Sequence, residues 1–513
     1  MSLSWELQAQ KARDNLQGSI PKQWLLPAHK LPSADLKNVE DFPRKSGLLS
    51  ARELSITDMS AATLVQNMGT GKFTAEEVVV AFLKRSVLGH QLLNFATEFL
   101  TDRAIARAKE LDEYYRRTGK LVGPLHGVPI SVKEHVEVKG LTCNAGYVAC
   151  NNLTGTTLNP YNRTLSAGGS SGGEGASTGF KCAPLGIGTD IGGSIRAPAA
   201  FCGSYGFRPT ALRNPMTGAK APEPGHESIR GVIGPLASQS VEDMDLFQQA
   251  IIDQEPWDIE TSLAPIPWKR AKPTKDMTVA IMWDDGVVRP HPPITRALKH
   301  AKAKLQAAGI KVVDWEPYKH KHGWDIISAM YFPDGALSQR KLIAQTGEPI
   351  LPLTAWAFNY SSPTPLTVGE SWELNVQRDV YRDEYHALMK SRGVDFILCP
   401  VYAGVASVLG ESHYWNYTAV WNILDQPAVV FPSGLSVDPQ LDQLTSEDKT
   451  YRPRGEIDQR EWSKYTGPER YEGAPIALQL VGKHFKDEET LAAGALVDGI
   501  LKGAEQITTK AML

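Results

Sequence analysis

Ser166 to Pro209 reads SAGGSSGGEGASTGFKCAPLGIGTDIGGSIRAPAAFCGSYGFRP, and twelve of these 44 residues are glycine. A glycine in a regular element costs roughly 0.5–1 kcal/mol of backbone entropy, so this density needs a reason in dihedral angles or close approach. One or two such glycines are ordinary turns. Twelve interleaved with serines read as backbone held close to a small ligand. A phosphate-binding loop would need Gly-x-x-x-x-Gly-Lys-Ser/Thr, and no lysine follows these glycines. Gly168-Gly-Ser170-Ser-Gly172 matches the nucleophile-elbow pattern, but Arg-Thr-Leu-Ser-Ala before it is no buried strand, and the composition makes a chance match easy.

Working outward from this block, no histidine stands out as a partner for a serine. His126 and His135 precede it, and neither His413 nor His484 lies in a segment that singles it out. A metal centre finds no His-Glu-x-x-His and no Cys-x-x-Cys, and His320 and His322 sit in a basic turn. What remains is a serine nucleophile whose base is not histidine. Lys133 ends the apolar run Val-Pro-Ile-Ser-Val, where a charge is otherwise hard to explain. Burial can make such a lysine neutral, a three-unit shift from about 10.4 corresponding to about 4 kcal/mol.

The surrounding chain reads as α/β. Thr57 to Leu64, Thr74 to Leu83 with a Thr74/Glu77 capping box, Thr101 to Arg117 and Ile294 to Gly309 read as helices. Short β-branched runs at Met277–Met282, Gly393–Pro400, Gln426–Pro432 and Ala474–Gly482 read as strands, giving a sheet with helices on its faces. The 513 residues suit one large unit: an N-terminal extension over 1–50, a catalytic domain over 51–505, and a polar surface excursion at 434–472. With 54 Lys and Arg against 57 Asp and Glu, the chain is no nucleic-acid binder. Five cysteines, no signal peptide and no apolar stretch of 18 residues point to a cytoplasmic protein away from membranes, so four glycosylation-like matches carry little weight.

The motifs Gly168-Gly-Ser-Ser-Gly-Gly-Glu174 and Gly186-Ile-Gly-Thr-Asp-Ile-Gly-Gly-Ser194-Ile-Arg196 resemble the signature of the amidase-signature hydrolases. That family of serine amidases includes acetamidases, the amidase component of glutamyl-transfer-RNA amidotransferase, and fatty acid amide hydrolase. The chain is most similar to the fungal general amidase and acetamidase branch, with further matches at Leu54–Thr210, Asn422–Ala428 and Gly473–Gly482. The resemblance implies a mixed, twisted central sheet covered by helices on both faces. It implies Ser194 as nucleophile, Ser170 as a relay held in a cis peptide, and Lys133 as base. It places the oxyanion hole at the amides of Ile191, Gly192, Gly193 and Ser194, with converging glycine-flanked N–H groups suited to that charge. Ser171 and Asp190 support geometry. Arg196 either fixes the turn through a buried carboxylate or is a helix-surface arginine.

The function implied is hydrolysis of a small monocarboxylic acid amide through an acyl-enzyme, without cofactor or metal, in nitrogen use or secondary metabolism, with a homodimer left open. Aromatic stretches at Met330–Asp334, Trp356–Tyr360 and Tyr414–Tyr417 are candidates for pocket wall or core. One departure stands out. Only 37 positions separate Lys133 from Ser170, and roughly 30 residues seem to be absent at the Cys150/Asn151 join, an apparent deletion of a helix and a core strand. Such a loss is expected to open two strand edges. The alternative function is therefore an inactive, truncated amidase-like protein that binds a ligand. The acetamidase-like Lys133-Glu-His and Asn159-Pro-Tyr-Asn-Arg-Thr-Leu argue against an ammonia-channelling amidotransferase component.

Overall fold

A computed structural model describes residues 4–141, 143, 150–221 and 225–503. Among the described residues lie eleven strands: β1 (Ile130–Val132), β2 (Cys150–Asn151), β3 (Gly155–Thr156), β4 (Leu185–Asp190), β5 (Tyr205–Arg208), β6 (Val232–Ala237), β7 (Thr278–Met282), β8 (Lys311–Trp315), β9 (Phe396–Pro400), β10 (Ala428–Ser436) and β11 (Pro475–Val481). β2 and β3 form a small hairpin, and the other nine form one sheet in the order β1-β4-β6-β5-β10-β11-β9-β7-β8. Pairing is parallel at β1/β4, β7/β8 and β7/β9 and antiparallel elsewhere, so the sheet is mixed.

Both faces of the sheet are covered, and the alternation of side chains shows it. Val279 and Ile281 of β7 join one apolar cluster, which includes Ile294 and Leu298 of the helix Pro292–Ala307 and Leu491 and Val497 of the helix Asp487–Lys502. Ala280 and Met282 join a second cluster with Trp324, Tyr385 and Trp421. A strand buried on both sides is apolar throughout rather than alternating, which is why these runs were legible. β4, β5 and β6 escaped the sequence reading because glycine, and Pro235 in β6, weaken a strand signal. Pro235 is tolerated just past Leu236, where the pairing with β5 ends.

Local signals mostly hold. The Thr74/Glu77 capping box starts the helix Ala75–Leu93. The helix read across residues 57–64 is instead two, Ala51–Thr57 and Ala61–Gly69, because Ser60 caps the second by accepting from the Thr63 N–H. Much of the stretch 434–472 lies at the surface, as its polar composition suggested, yet it is anchored from within. Its acids Asp442, Asp458 and Glu461 are buried, and Asp442 pairs with Arg296 at 2.7 Å, so its charges are used in packing. Cys143, Cys182, Cys202 and Cys399 are free thiols.

At the short connection the sheet differs from expectation. The loss was expected to expose two edges, yet among the described residues β1 is the terminal strand and pairs only with β4, which leaves one edge at the margin without a ladder partner there. Residues 144–149, on one side of the join, lie outside the described residues. Beside β1 lies a cavity of about 1170 Å3 whose lining includes Phe82, Val132, Leu342 and Ile350, and which reaches Lys133 and Ser170.

Helix-on-sheet packing is tightest at Gly494, where a Cβ would lie 2.5 Å from Val429 Cγ1. Val429 is fully buried and β-branched, so it cannot yield cheaply. Alanine gains about 1 kcal/mol in helix propensity, while overpacking costs about 1–3 kcal/mol. Gly494→Ala is expected to lower the denaturation midpoint; a raised midpoint would show that the helix can shift outward.

Candidate active site

The glycine-rich block folds as helix Gly172–Gly179, strand β4, a turn and helix Arg196–Phe201. The turn Ile191–Ile195 is held from inside by Asp190. Its carboxylate accepts from the N–H groups of Gly193 at 2.8 Å and Ile195 at 3.2 Å, from Asn422 Nδ2 at 2.8 Å, and from Arg196 through Nε at 3.1 Å and Nη2 at 3.0 Å. Both charged side chains are fully buried. Burial by itself would raise the Asp190 pKa, but the adjacent Arg196 charge and the bonds from Arg196 and Asn422 hold it well below the usual carboxylate range. Arg196 is thus a buried clamp and not a surface arginine. Its Nη1 donates to Thr418 O at 2.9 Å and Gln479 Oε1 at 3.3 Å, and its Nη2 to Asn422 Oδ1 at 2.6 Å.

The outer side of the turn is held by the helix Asn416–Ile423. Thr418 Oγ1 lies 2.6 Å from Gly192 O, so the Gly192–Gly193 peptide is fixed at its carbonyl by Thr418 and at its N–H by Asp190. Gly193 has φ +128°, and a Cβ there would sit 2.2 Å from Thr418 Oγ1, so only glycine fits. Of the four amides read as an oxyanion hole, that of Gly193 donates to Asp190. The amides of Ile191, Gly192 and Ser194 have no hydrogen-bond partner among the described residues.

Lys133 follows β1 and is 3% exposed. Its backbone N–H donates to Ile187 O at 3.0 Å, extending the β1/β4 ladder and aiming the side chain inward. Nζ lies 2.6 Å from Ser170 Oγ and 2.7 Å from Thr189 Oγ1. Burial pushes the Lys133 pKa down to about 7, against the attraction of Glu174 and Asp190. Burial also raises Glu174, whose pull on Lys133 works the other way. Ser170 N–H donates to Ser194 Oγ at 3.2 Å, so Ser170 touches both Lys133 and Ser194. Ser171 is fully buried, and its Oγ accepts from Thr189 N–H at 3.2 Å.

The three residues that the sequence singled out therefore meet, although the connection between them is short. The cis peptide implied for Ser170 is absent: every described peptide bond is trans. The trans chain already carries the Ser170 hydroxyl to Lys133 and its N–H to Ser194. Thr189, Glu174, Thr418, Asn422 and Gln479 were not singled out. Of the aromatic stretches, Met330, Phe358, Tyr414 and Tyr417 are core, whereas Tyr331 and Trp415 stand at the turn. Tyr331 OH donates to Ile191 O at 3.3 Å and accepts from Trp415 Nε1 at 3.4 Å.

Comparison with known proteins agrees with this architecture. The family model for amidases matches residues 77–152 and 143–491, two spans that overlap where the connection is short. A Schizosaccharomyces pombe protein that carries the name amidase is 43% identical over 533 aligned positions, covering 96% of this chain and 98% of its own. Since 96% of 513 residues is about 492, about 40 of those positions face no residue here. The acetamidase of Emericella nidulans is 36% identical, covering 98% and 99% of the two chains. Among solved structures, a fatty acid amide hydrolase superposes with a TM-score of 0.93 at 38% identity, covering 97% of this chain and 95% of that one. Mixed sheet, glycine-rich turn and near-full-length relatives together make this chain a member of the amidase-signature family, a hydrolase that acts on amide bonds.

Proposed function

We propose that the chain hydrolyses a small monocarboxylic acid amide through an acyl-enzyme on Ser194, with Ser170 as proton relay and Lys133 as base. The observation that carries this reading is the contact of Lys133 Nζ with Ser170 Oγ at 2.6 Å, made by a lysine whose pKa burial lowers to about 7, so that a substantial share is neutral near that pH. Neutral Lys133 takes the Ser170 hydroxyl proton while Ser170 takes that of Ser194, whose oxygen attacks the amide carbon. The Ser170 N–H steadies the Ser194 oxygen as charge develops there. The amides of Ile191, Gly192 and Ser194 meet the carbonyl oxygen as it becomes negative. The proton then returns along the same path to the departing nitrogen, and water releases the acid from Ser194.

For substrate size, Tyr331 and Trp415 crowd the turn. A Cβ on Gly192 would lie 2.5 Å from the Tyr331 hydroxyl and 3.3 Å from Trp415, which favours a small acyl group. The name acetamidase among the relatives supports the same choice. The similarity to a fatty acid amide hydrolase supports a long-chain amide as the second reading. Rates along a series of primary amides, from acetamide to a long-chain fatty amide, separate the two: a preference rising with chain length would reverse the assignment. The cavity against Lys133 and Ser170 favours a third reading, an inactive fold kept for ligand binding. Labelling by a fluorophosphonate, which needs an activated serine, decides between this and the enzyme.

Three outcomes follow for variants and pH. Ser194→Ala abolishes turnover and probe labelling together, while Ser170→Ala leaves residual turnover; an acyl group trapped on another residue in mass spectrometry contradicts this. Because the base must be neutral, kcat/KM rises with pH up to about 7 and then levels. Glu174 holds the Lys133 pKa up, so Glu174→Gln moves that limb to lower pH; a limb that stays in place or moves to higher pH counts against the coupling. Finally, Thr418→Val removes the hydroxyl that fixes Gly192 O and is expected to lower kcat about 10- to 100-fold with little change in KM, with Thr418→Ser restoring much of it. Equal loss in both variants means that Thr418 matters for packing alone.

A further inference from the structure

The cavity beside β1 has features of a filled interior rather than of a solvent cleft. Val122, Val132, Leu342 and Ile350 line it and are 49%, 39%, 44% and 38% exposed, an unusual gathering of large apolar side chains in water. Gln339, which also lines it, is 0% exposed, and neither its amide nitrogen nor its oxygen has a hydrogen-bond partner. The hydroxyls of Ser131 and Ser177, on the same lining, are likewise buried and unpartnered. A buried amide with both ends unmet is costly, and native interiors rarely keep one. β1 adds an edge, since its only ladder partner among the described residues is β4.

Apolar side chains, an unmet amide and hydroxyls that both donate and accept, and a strand edge call for one kind of occupant, an extended polypeptide. We infer that the cavity is the seat of a segment that this chain's relatives carry between the positions of Cys150 and Asn151 and that this chain lacks. Its backbone pairs with the outer edge of β1 and meets the Gln339 amide, and its apolar side chains cover Val132, Leu342 and Ile350. Two observations point to an in-chain segment as the source. The two family-model spans overlap at 143–152, a span whose Cys143, Asn151 and Asn152 line the cavity, and about 40 positions of the alignment with the Schizosaccharomyces pombe relative have no counterpart in this chain. This inference does not rest on the proposed catalytic roles, and its readout is stability.

The test compares the full chain with a graft that carries the corresponding residues of the Schizosaccharomyces pombe relative after Cys150. The unmodified chain is expected to bind anilinonaphthalene sulfonate, and the graft to melt several degrees higher and to lose that binding. An unchanged or lower melting temperature with undiminished dye binding overturns the inference. Gln339→Leu adds a signed check. In the unmodified chain it removes an unmet buried amide and raises the melting temperature, whereas in the graft it removes a partner and lowers it. A fall in the unmodified chain overturns the inference even where the graft fails to fold, because it shows that Gln339 is already satisfied.

Discussion

The ion pair between Asp190 and Arg196, both fully buried, is the constraint on which the rest of the site depends. Removing two charges from water is expensive, and in an interior the attraction repays it only with good geometry and further hydrogen bonds. Here every free valence is used. Asp190 takes two backbone N–H groups of the turn and Asn422, and Arg196 is spread over Asp190, Asn422, Gln479 and the Thr418 carbonyl. The pair thereby converts five glycine-rich residues, which would otherwise sample many conformations, into a single turn. Thr418 presses on that turn from outside, and the sheet carries β1 and Lys133 to its flank through the β1/β4 ladder.

Much of this was legible in the sequence, for identifiable reasons. β7, β9, β10 and β11 could be read because they lie inside the sheet and are covered on both faces, and burial on both faces writes itself as an apolar run. Lys133 could be read because a charge closing such a run has few structural excuses. β4 and β5 could not, since the glycines that bring backbones together at the site also erase strand propensity. Thr189, Thr418, Asn422 and Gln479 were invisible for another reason. Their significance lies in partners far off in the chain, and nothing local distinguishes a threonine that pins a carbonyl from one that merely faces the core. Arg196 remained ambiguous for the same reason until its partners from residues 418, 422 and 479 were in place.

The family resemblance also carried a cis peptide at Ser170 that the geometry does not share: Ser170 reaches both neighbours with a trans backbone. The short connection is likewise milder for the sheet than a lost central strand would be. β1 sits at the margin, so the seven strands from β6 to β8 keep their neighbours. What the connection leaves behind is local: one edge and one cavity, both next to Lys133.

The knot around Arg196 joins residues 222, 226 and 283 positions apart, the last through Gln479 on β11 near the C-terminus. Contacts of such separation form late, because the loop must close before any of them is rewarded. During synthesis the serines, the lysine and the glycine turn therefore leave the ribosome long before the residues that lock them. A nascent or C-terminally clipped chain holds Lys133, Ser170 and Ser194 without the contacts that fix the turn beside them. The order of synthesis thus sets the order of assembly: the glycine-rich turn is made early and locked last.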